Sequence, residues 1–138
     1  MPHSIHWEPD GVCVNFSGTV TAEEIVRIYE AMSGDPRSDR LKYVLTDYLG
    51  ANRCTTMTLT DVKGFAALEY GASYQSAGRV WRAAVATEPS ICDFLKYFKA
   101  VRTSADPFEI FDTEREAREW LNRNPRLKRK VSTGANCR

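Results

Sequence analysis

Short apolar runs alternate with stretches of helical period, and this alternation constrains the fold more than any other feature of the chain. Strands that alternate with helix-length segments are typical of α/β domains. The turn sequence Glu8-Pro9-Asp10-Gly11 separates the first two runs and predicts an antiparallel hairpin. Each later run is reached through a helix-length segment, which favours parallel pairing. The apolar runs are Ser4–Trp7, Val12–Phe16, Tyr43–Thr46, Val80–Ala86 and Phe108–Phe111.

Four helix starts are indicated by a hydroxyl residue followed three positions later by an acid. In such a capping box the hydroxyl accepts a hydrogen bond from a first-turn amide, and the acid complements the helix dipole. We therefore predict a mixed, mostly parallel five-stranded sheet with four helices, in the order β-β-α-β-α-β-α-β-α, and we expect Trp120 of the last helix to be buried. The boxes are Thr21…Glu24, Thr58…Asp61, Ser90…Asp93 and Thr113…Glu116.

Length and charge indicate one domain followed by a basic tail. A chain of 138 residues fits a single core, and we predict a domain over residues 1–124 and a disordered tail over 125–138. The net charge is +1, but the last sixteen residues are basic without any acid, so the body is acidic. An acidic body repels a phosphate backbone, and no aromatic residues interleave the basic ones, so we expect no nucleic-acid partner.

Several other function classes are disfavoured by the residues present. No apolar run approaches membrane-spanning length, and the N-terminus lacks the order of a secretory signal, so we expect a cytoplasmic protein without a membrane span. Four widely spaced cysteines without a CxxC pair predict reduced thiols. The two histidines, His3 and His6, lie three apart in a strand and so face opposite sides, which disfavours a metal site. We predict no catalytic residue and no cofactor.

Four segments together resemble a known family: Gly18–Glu24, Asp35-Pro36, Leu41–Asp47 and Phe111–Leu121. Spread over residues 4 to 122, they resemble the SpoIIAA-like (STAS/SEC14) domains, relatives of bacterial anti-sigma-factor antagonists. The resemblance implies a mixed, mostly parallel sheet used as a non-enzymatic switch, a protein-docking module or a small-ligand pocket. Phosphorylated antagonists carry an Asp-Ser-Ser-Gly-like segment at the second helix. This chain has hydroxyl residues there without the Ser-Gly pair, which leaves Thr58 and Thr60 as candidate phosphoacceptors.

The segment between the third strand and the second helix is the first candidate site. In parallel sheets, ligands bind beyond the carboxyl ends of the strands, near helix N-termini. The segment Tyr48–Met57 is longer than such connections usually are, which predicts a functional loop. The alternative is an insertion beside ordinary capping residues. The candidate binding residues are Asp47, Asn52, Arg53, Thr55, Thr56 and Thr58.

Aromatic residues in the middle third of the chain form the second candidate. A domain of this size cannot bury every large aromatic face of two neighbouring helices, so leftover surface predicts a homodimer interface or an apolar pocket between the second and third helices. The residues are Phe65, Tyr70, Tyr74 and Tyr97.

Three functions stay open on these grounds. The first is a non-enzymatic regulatory module that docks a protein partner or binds a small anionic or amphipathic ligand. The second is a carrier of a small lipid-like ligand in an apolar pocket. The third is a small hydrolase that uses the edge of the sheet at Asp47.

Overall fold

The structure is a computed structural model that describes residues 3–75 and 78–127. The predicted order of strands and helices is confirmed. The strands are β1 His3–Trp7, β2 Gly11–Val20, β3 Tyr43–Cys54, β4 Trp81–Val85 and β5 Phe108–Phe111. The helices are α1 Ala22–Ser33, α2 Leu59–Gln75, α3 Pro89–Val101 and α4 Glu114–Leu121, with a short 3-10 helix at Pro36–Arg40.

The five strands form one sheet in the order β1-β2-β3-β4-β5. β1 pairs antiparallel with β2, and the remaining neighbours pair parallel, as the hairpin and the crossovers predict. The register places Leu45 of β3 between Cys13 of β2 and Ala83 of β4. The carboxyl ends of the parallel strands therefore meet at one edge of the sheet.

The two faces of the sheet carry different layers. Apolar residues of α1, α2 and α3 pack with Val14, Phe16 and Ala84 in the larger core cluster. α4 packs on the opposite face through Ala117 and Leu121. The site described below lies at the edge where β3 leaves the sheet and α2 begins.

Trp120 differs from its predicted burial. Its ring is only partly buried, and it packs at the margin of the α4 face, 4.7 Å from the Trp81 ring centroid and 5.6 Å from that of Phe111. The short α4 places Leu121 at the centre of this face, fully buried, and leaves Trp120 beside it.

Two element boundaries also differ from the sequence prediction. β3 continues to Cys54 instead of ending at Thr46, because β2 runs on beside it. α3 begins at Pro89 with Glu88 as its N-cap, so Ser90 lies inside the first turn. Thr21, Thr58 and Thr113 do cap their helices as predicted.

The packed part of the chain extends past the predicted boundary at residue 124. Asn124 is buried, Arg126 donates to the carbonyl oxygens of Leu41 and Arg79, and Leu127 packs on the α4 cluster. The predicted disorder of the tail beyond Leu127 falls outside the described residues. Within the part of the chain that is described, no helix has the length and apolar character needed to cross a membrane.

Candidate functional site

β2 and β3 project as a two-stranded ribbon beyond the rest of the sheet. β4 pairs with β3 only as far as Asp47, opposite Val85, whereas β2 stays paired with β3 to Cys54. The ribbon is irregular between Asn15 and Thr19, where its register shifts. Gly18 has φ +68°, a conformation that strains other residues. The predicted long loop is therefore largely a strand.

Asp47 lies inside the protein at the base of this ribbon. Its residue surface is fully buried, and its Oδ1 accepts a hydrogen bond of 2.8 Å from the Leu49 amide. The ring of the next residue, Tyr48, stacks on Phe16 at a centroid distance of 4.3 Å. Asp47 thus stabilises the backbone where the chain enters the ribbon, and its side chain is not accessible to a ligand in solution.

The side chains that solvent reaches lie further along, and we call them the β3–α2 surface. Two are large and apolar: Leu49 is 39% exposed and Leu59 is 47% exposed. The others are polar and exposed, and they include the cation Arg53. The β3–α2 surface consists of Leu49, Asn52, Arg53, Thr56, Thr58 and Leu59.

Hydrogen bonds hold the backbone of this junction in place. The Thr55 amide donates to the Val20 carbonyl oxygen at 3.0 Å, and the Thr55 hydroxyl donates to the same oxygen at 3.4 Å. The Cys54 amide donates to Ser90 Oγ at 2.9 Å, which ties β3 to the first turn of α3. Thr55 is therefore a structural link, whereas Thr56 beside it is exposed.

The first turn of α2 is closed by a reciprocal capping box. The Asp61 amide donates to Thr58 Oγ at 3.1 Å, and the Thr58 amide donates to Asp61 Oδ2 at 3.0 Å. Asp61 also places an acid beside the positive end of the helix dipole. Thr60, the other candidate phosphoacceptor, is exposed in the same turn.

The thiol of Cys54 is not activated by this environment. Burial raises its pKa to about 11, and the charge of Glu88 acts in the same direction. A nucleophilic cysteine needs a lowered pKa, so Cys54 stays protonated at neutral pH. Cys54 and Cys92 are free thiols, whereas Cys13 is disulfide-bonded, so the prediction of reduced thiols is wrong at Cys13.

The two histidines occupy opposite faces of β1, as the strand alternation predicts. His3 is partly buried, and its Nδ1 lies 3.1 Å from Glu24 Oε2 on α1, whereas His6 is exposed. Across residues 3–75 and 78–127, no three His, Cys, Asp or Glu side chains gather closely enough to hold a metal ion.

A second feature is a partly open cavity of about 80 Å³ between the sheet and helices α1, α2 and α3. Its wall is mostly aliphatic and aromatic, with Phe16, Phe65 and Phe94 among the lining residues. The polar residues that line the cavity include Tyr29 and Arg82. Burial raises the pKa of Tyr29 to about 12, so its hydroxyl stays protonated and can donate a hydrogen bond.

Arg82 belongs to a buried group of four charges at the end of this cavity. Arg102 holds Glu69 through both carboxylate oxygens, with Nη2–Oε2 at 2.8 Å and Nε–Oε1 at 3.0 Å. Arg82 Nε lies 3.3 Å from Glu69 Oε2 and 3.5 Å from Asp106 Oδ2. Ser73 donates a further hydrogen bond to Asp106. The two cations and two anions balance, which is the condition for burying charge.

The predicted aromatic candidates separate into different environments. Phe65 is 2% exposed and packs edge-on against Phe94 in the core, so it is not a surface residue. Tyr70 and Tyr97 are exposed at 51% and 37%. The Tyr74 side chain lies outside the described residues.

Sequence reasoning missed Leu49, Leu59 and the four buried charges. The charges did leave a signal: Glu69 follows Phe65 and Ala66 at the spacing of the buried face of α2, and Arg82 interrupts an apolar strand. Opposite charges at core positions of two elements indicate a buried ion pair. The exposure of Leu49 and Leu59 had no such signal, because an apolar residue after a strand is read first as core.

Comparison with solved structures identifies the fold. The chain is similar to the anti-sigma factor antagonist SpoIIAA in its unphosphorylated form, with a TM-score of 0.55 and 11% sequence identity, covering 91% of this chain and 99% of that one. An uncharacterized DUF3478-family protein with a SpoIIAA-like fold, from Shewanella loihica PV-4, gives a TM-score of 0.47 and 15% identity, covering 86% and 91% of the two chains. No protein-family model and no curated protein matches the chain. The chain has the SpoIIAA-like fold, which confirms the resemblance of fold drawn from the sequence.

Proposed function

We propose that this protein is a non-enzymatic regulatory module that docks a protein partner on the β3–α2 surface. The observation that carries the proposal is the pair of exposed leucines, Leu49 and Leu59, which flank the exposed cation Arg53 along the chain. Protein interfaces combine apolar anchors at their core with a polar rim, and arginine is enriched among the residues that dominate binding energy. The cytoplasmic location predicted from the sequence belongs to the same proposal.

The known role of the similar protein agrees with this proposal. SpoIIAA is described as an anti-sigma factor antagonist, so its role is exerted on another protein. We carry over only the general idea that a SpoIIAA-like fold can regulate by docking. The hydrolase alternative has less support, because Asp47 is fully buried and the Cys54 thiol has a raised pKa.

Phosphorylation is a natural form of control for this surface, and Thr58 and Thr60 differ in what it would do. The Thr58 hydroxyl accepts the Asp61 amide, so a phosphate there would disturb the cap and meet the Asp61 carboxylate. Thr60 is exposed, and a phosphate there would add negative charge to the first turn of α2 without removing the cap. We favour Thr60 as the regulated residue.

The docking proposal is tested by placing negative charges on the β3–α2 surface and, as a control, a negative charge on a different exposed surface. Affinity capture from a bacterial lysate would compare the wild type, Leu49→Glu with Arg53→Glu, and the control Lys96→Glu on the exposed side of α3. We expect a protein retained by the wild type and the control but lost with the double variant, while circular dichroism shows all three folded. Retention of the same proteins by all three forms would refute the surface.

A small anion is the other ligand that this surface could take. Arg53 lies at the end of β3, shortly before α2 in the chain, and the dipole at the start of α2 favours negative charge. Inorganic phosphate is a suitable probe in an NMR titration. Shifts confined to residues 52–60 that vanish in Arg53→Ala would support anion binding, and shifts unaffected by that substitution would count against it.

The cavity favours a second function, the carrying of a small apolar ligand with a polar end. Its wall is apolar except where Tyr29, Glu69 and Arg82 enter, and ligand pockets typically have such a composition. An NMR titration with sodium butyrate, whose short chain suits a cavity of about 80 Å³, should shift the signals of the lining residues, and Ile28→Phe, which narrows the cavity, should abolish these shifts. Lining-residue signals that do not shift, or that shift equally in Ile28→Phe, would exclude this function.

A further inference from the structure

The outer face of α2 differs from the outer faces of the other helices. α1 exposes Glu23, Arg27 and Glu30, α3 exposes Asp93, Lys96 and Lys99, and α4 exposes Arg115, Glu116 and Glu119. Between Leu59 and Ser73, the exposed part of α2 includes one charged residue, Lys63. The exposed residues of α2 in this range are Leu59, Thr60, Lys63, Gly64, Ala67, Leu68, Tyr70 and Gly71.

Small residues line the middle of this face. Gly64, Ala67 and Gly71 follow one another at the three- and four-residue spacing that places side chains on one side of a helix. A Cβ added at Gly64 or at Gly71 would meet no atom within 4 Å. Glycine in a helix interior is less favourable than alanine, so packing against residues 3–75 and 78–127 gives no reason for either glycine.

Large apolar residues border the small ones on both sides. The helical period places Leu59 and Tyr70 along one border and Leu68 along the other. These are three of the five large hydrophobic residues that the structure shows exposed, and Tyr97 on the neighbouring α3 is a fourth. The result is a shallow groove with apolar edges, which we call the α2 face and define as Thr60, Lys63, Gly64, Ala67, Leu68, Tyr70 and Gly71.

We propose that the α2 face packs antiparallel against the α2 face of a second copy of this chain, around a two-fold axis near Ala67. The occupant must itself lack charge at the contact, and the charged outer faces of α1, α3 and α4 do not meet that condition. A two-fold interface uses the same surface on both subunits, so a single face whose only charged residue is Lys63, placed away from the axis, satisfies both sides.

The charges and shapes of the α2 face fit this antiparallel arrangement. With the axis at Ala67, Lys63 lies across from Gly71 of the second copy, and Tyr70 lies across from Gly64. The open space above each glycine leaves room for the larger side chain. Each Lys63 also approaches the carboxyl-terminal half of the opposite helix, whose dipole favours a cation, while the two lysines stay apart.

The area indicates how far the contact must extend. A helix of 17 residues is about 25 Å long, and a stable interface buries about 800 Å² on each partner. One helix face supplies part of that area, so Tyr97 of α3 is included in the proposed contact. Arg53 and Leu49 lie outside it, whereas Leu59 lies at its border and Thr60 within it, so substitutions at Leu49 and Arg53 test docking while substitutions at Gly64 and Gly71 test this interface.

Sedimentation equilibrium across the micromolar range tests the proposal with the full chain. We expect a mass of twice 15.6 kDa for the wild type. Gly64→Gln with Gly71→Gln should weaken dimerisation at least tenfold, because the added side chains fill the groove. Since these side chains meet nothing within the monomer, the variant should fold and melt no lower than the wild-type monomer. The control Arg115→Gln, on α4 at the opposite face of the sheet, should dimerise like the wild type.

Two results would overturn the interface. One is a wild-type protein that stays at 15.6 kDa at high micromolar concentration. The other is a glutamine double variant that dimerises as tightly as the wild type, which would place the contact elsewhere. The register has its own test: Ala67→Cys should give a covalent dimer under copper–phenanthroline oxidation, and Lys96→Cys should not. A crosslink that forms equally from both positions would exclude an axis near Ala67.

Discussion

Arg118 shows how single residues hold distant parts of this chain together. Its side chain is 1% exposed, and its two terminal nitrogens donate to the two carboxylate oxygens of Glu8 at 2.9 and 3.0 Å. Its Nε donates to Glu114 at 2.9 Å, and Tyr43 donates to Glu8 as well. The hairpin turn between β1 and β2 is thereby bound to α4, 110 residues away in sequence.

The Glu8 pair predicts a dependence of stability on pH. Burial raises the pKa of Glu8, but the hydrogen bonds from Arg118 and Tyr43 outweigh burial and hold it below its usual range. A carboxylate with a lowered folded pKa stabilises the fold fully above its unfolded pKa, and this stabilisation is lost as the pH falls through the folded pKa. The free energy of unfolding, measured by urea denaturation at decreasing pH, should therefore decline less for Glu8→Gln than for the wild type. Glu119→Gln, at an exposed position, should decline like the wild type, and parallel curves for all three would contradict the assignment.

The buried charges near the cavity predict a large effect of removing one partner. Arg102→Ala would leave the fully buried Glu69 without its bidentate partner, which should cost about 3 to 5 kcal/mol of unfolding free energy. Lys99→Ala, in the last turn of α3 and three residues before Arg102, removes only an exposed ion pair with Glu109 and should cost less than about 1 kcal/mol. Denaturation curves would measure both, and a similar loss in the two variants would mean that the buried network contributes little.

At the scale of the elements, local sequence signals predicted most of the fold. Three of four hydroxyl caps form because capping depends on residues within one turn. The fourth start was wrong because Pro89 suits the first helical position, which lacks a hydrogen-bonded amide, and this makes Glu88 the cap. The dipeptide Glu88-Pro89 is itself a signal for this helix start, and it is stronger than the hydroxyl of Ser90.

Local sequence signals do not predict where β3 ends. Polar residues and Gly50 after Asp47 look like a loop, but the chain stays extended because β2 continues alongside it, and that pairing is not local. For the same reason the predicted site residues lie in two different environments. Arg53 and Asn52 are exposed on the ribbon, whereas Asp47 is buried where the sheet widens to include β4.

The cap of α2 predicts a difference between two neighbouring threonines. Thr58→Ala removes the acceptor of the Asp61 amide and should lower the unfolding free energy by about 0.5 to 2 kcal/mol. Thr60→Ala is the same substitution within the first turn, without loss of the cap, and should change stability by less than about 0.5 kcal/mol. Thermal melts distinguish the two, and equal shifts would show that the box does not control the start of α2.

At the scale of the whole molecule, the carboxyl-terminal segment covers the edge of the sheet where β3 and β4 begin, opposite the β3–α2 surface. Asn124 Nδ2 donates to the Lys42 carbonyl oxygen at 2.9 Å, just before β3, and Arg126 donates to the carbonyl oxygens of Leu41 and Arg79. These acceptors precede two adjacent strands, so the segment joins the entrances of β3 and β4. Composition suggested a solvated basic tail from residue 125, because charge alone does not reveal that an arginine finds backbone acceptors.

This closure gives a prediction for the whole fold. Arg126→Ala would leave two carbonyl groups at the entrances of β3 and β4 without their charged donor, and it should cost about 1.5 to 3 kcal/mol of unfolding free energy. Arg123→Ala removes the same charge three residues earlier, at an exposed position, and should cost less than about 0.5 kcal/mol. Urea denaturation gives the free energies, and amide hydrogen exchange at the first residues of β3 and β4 gives the location. If Arg126→Ala loosens neither strand and costs no more than Arg123→Ala, the fold is complete without this segment, and the domain ends at the predicted residue 124.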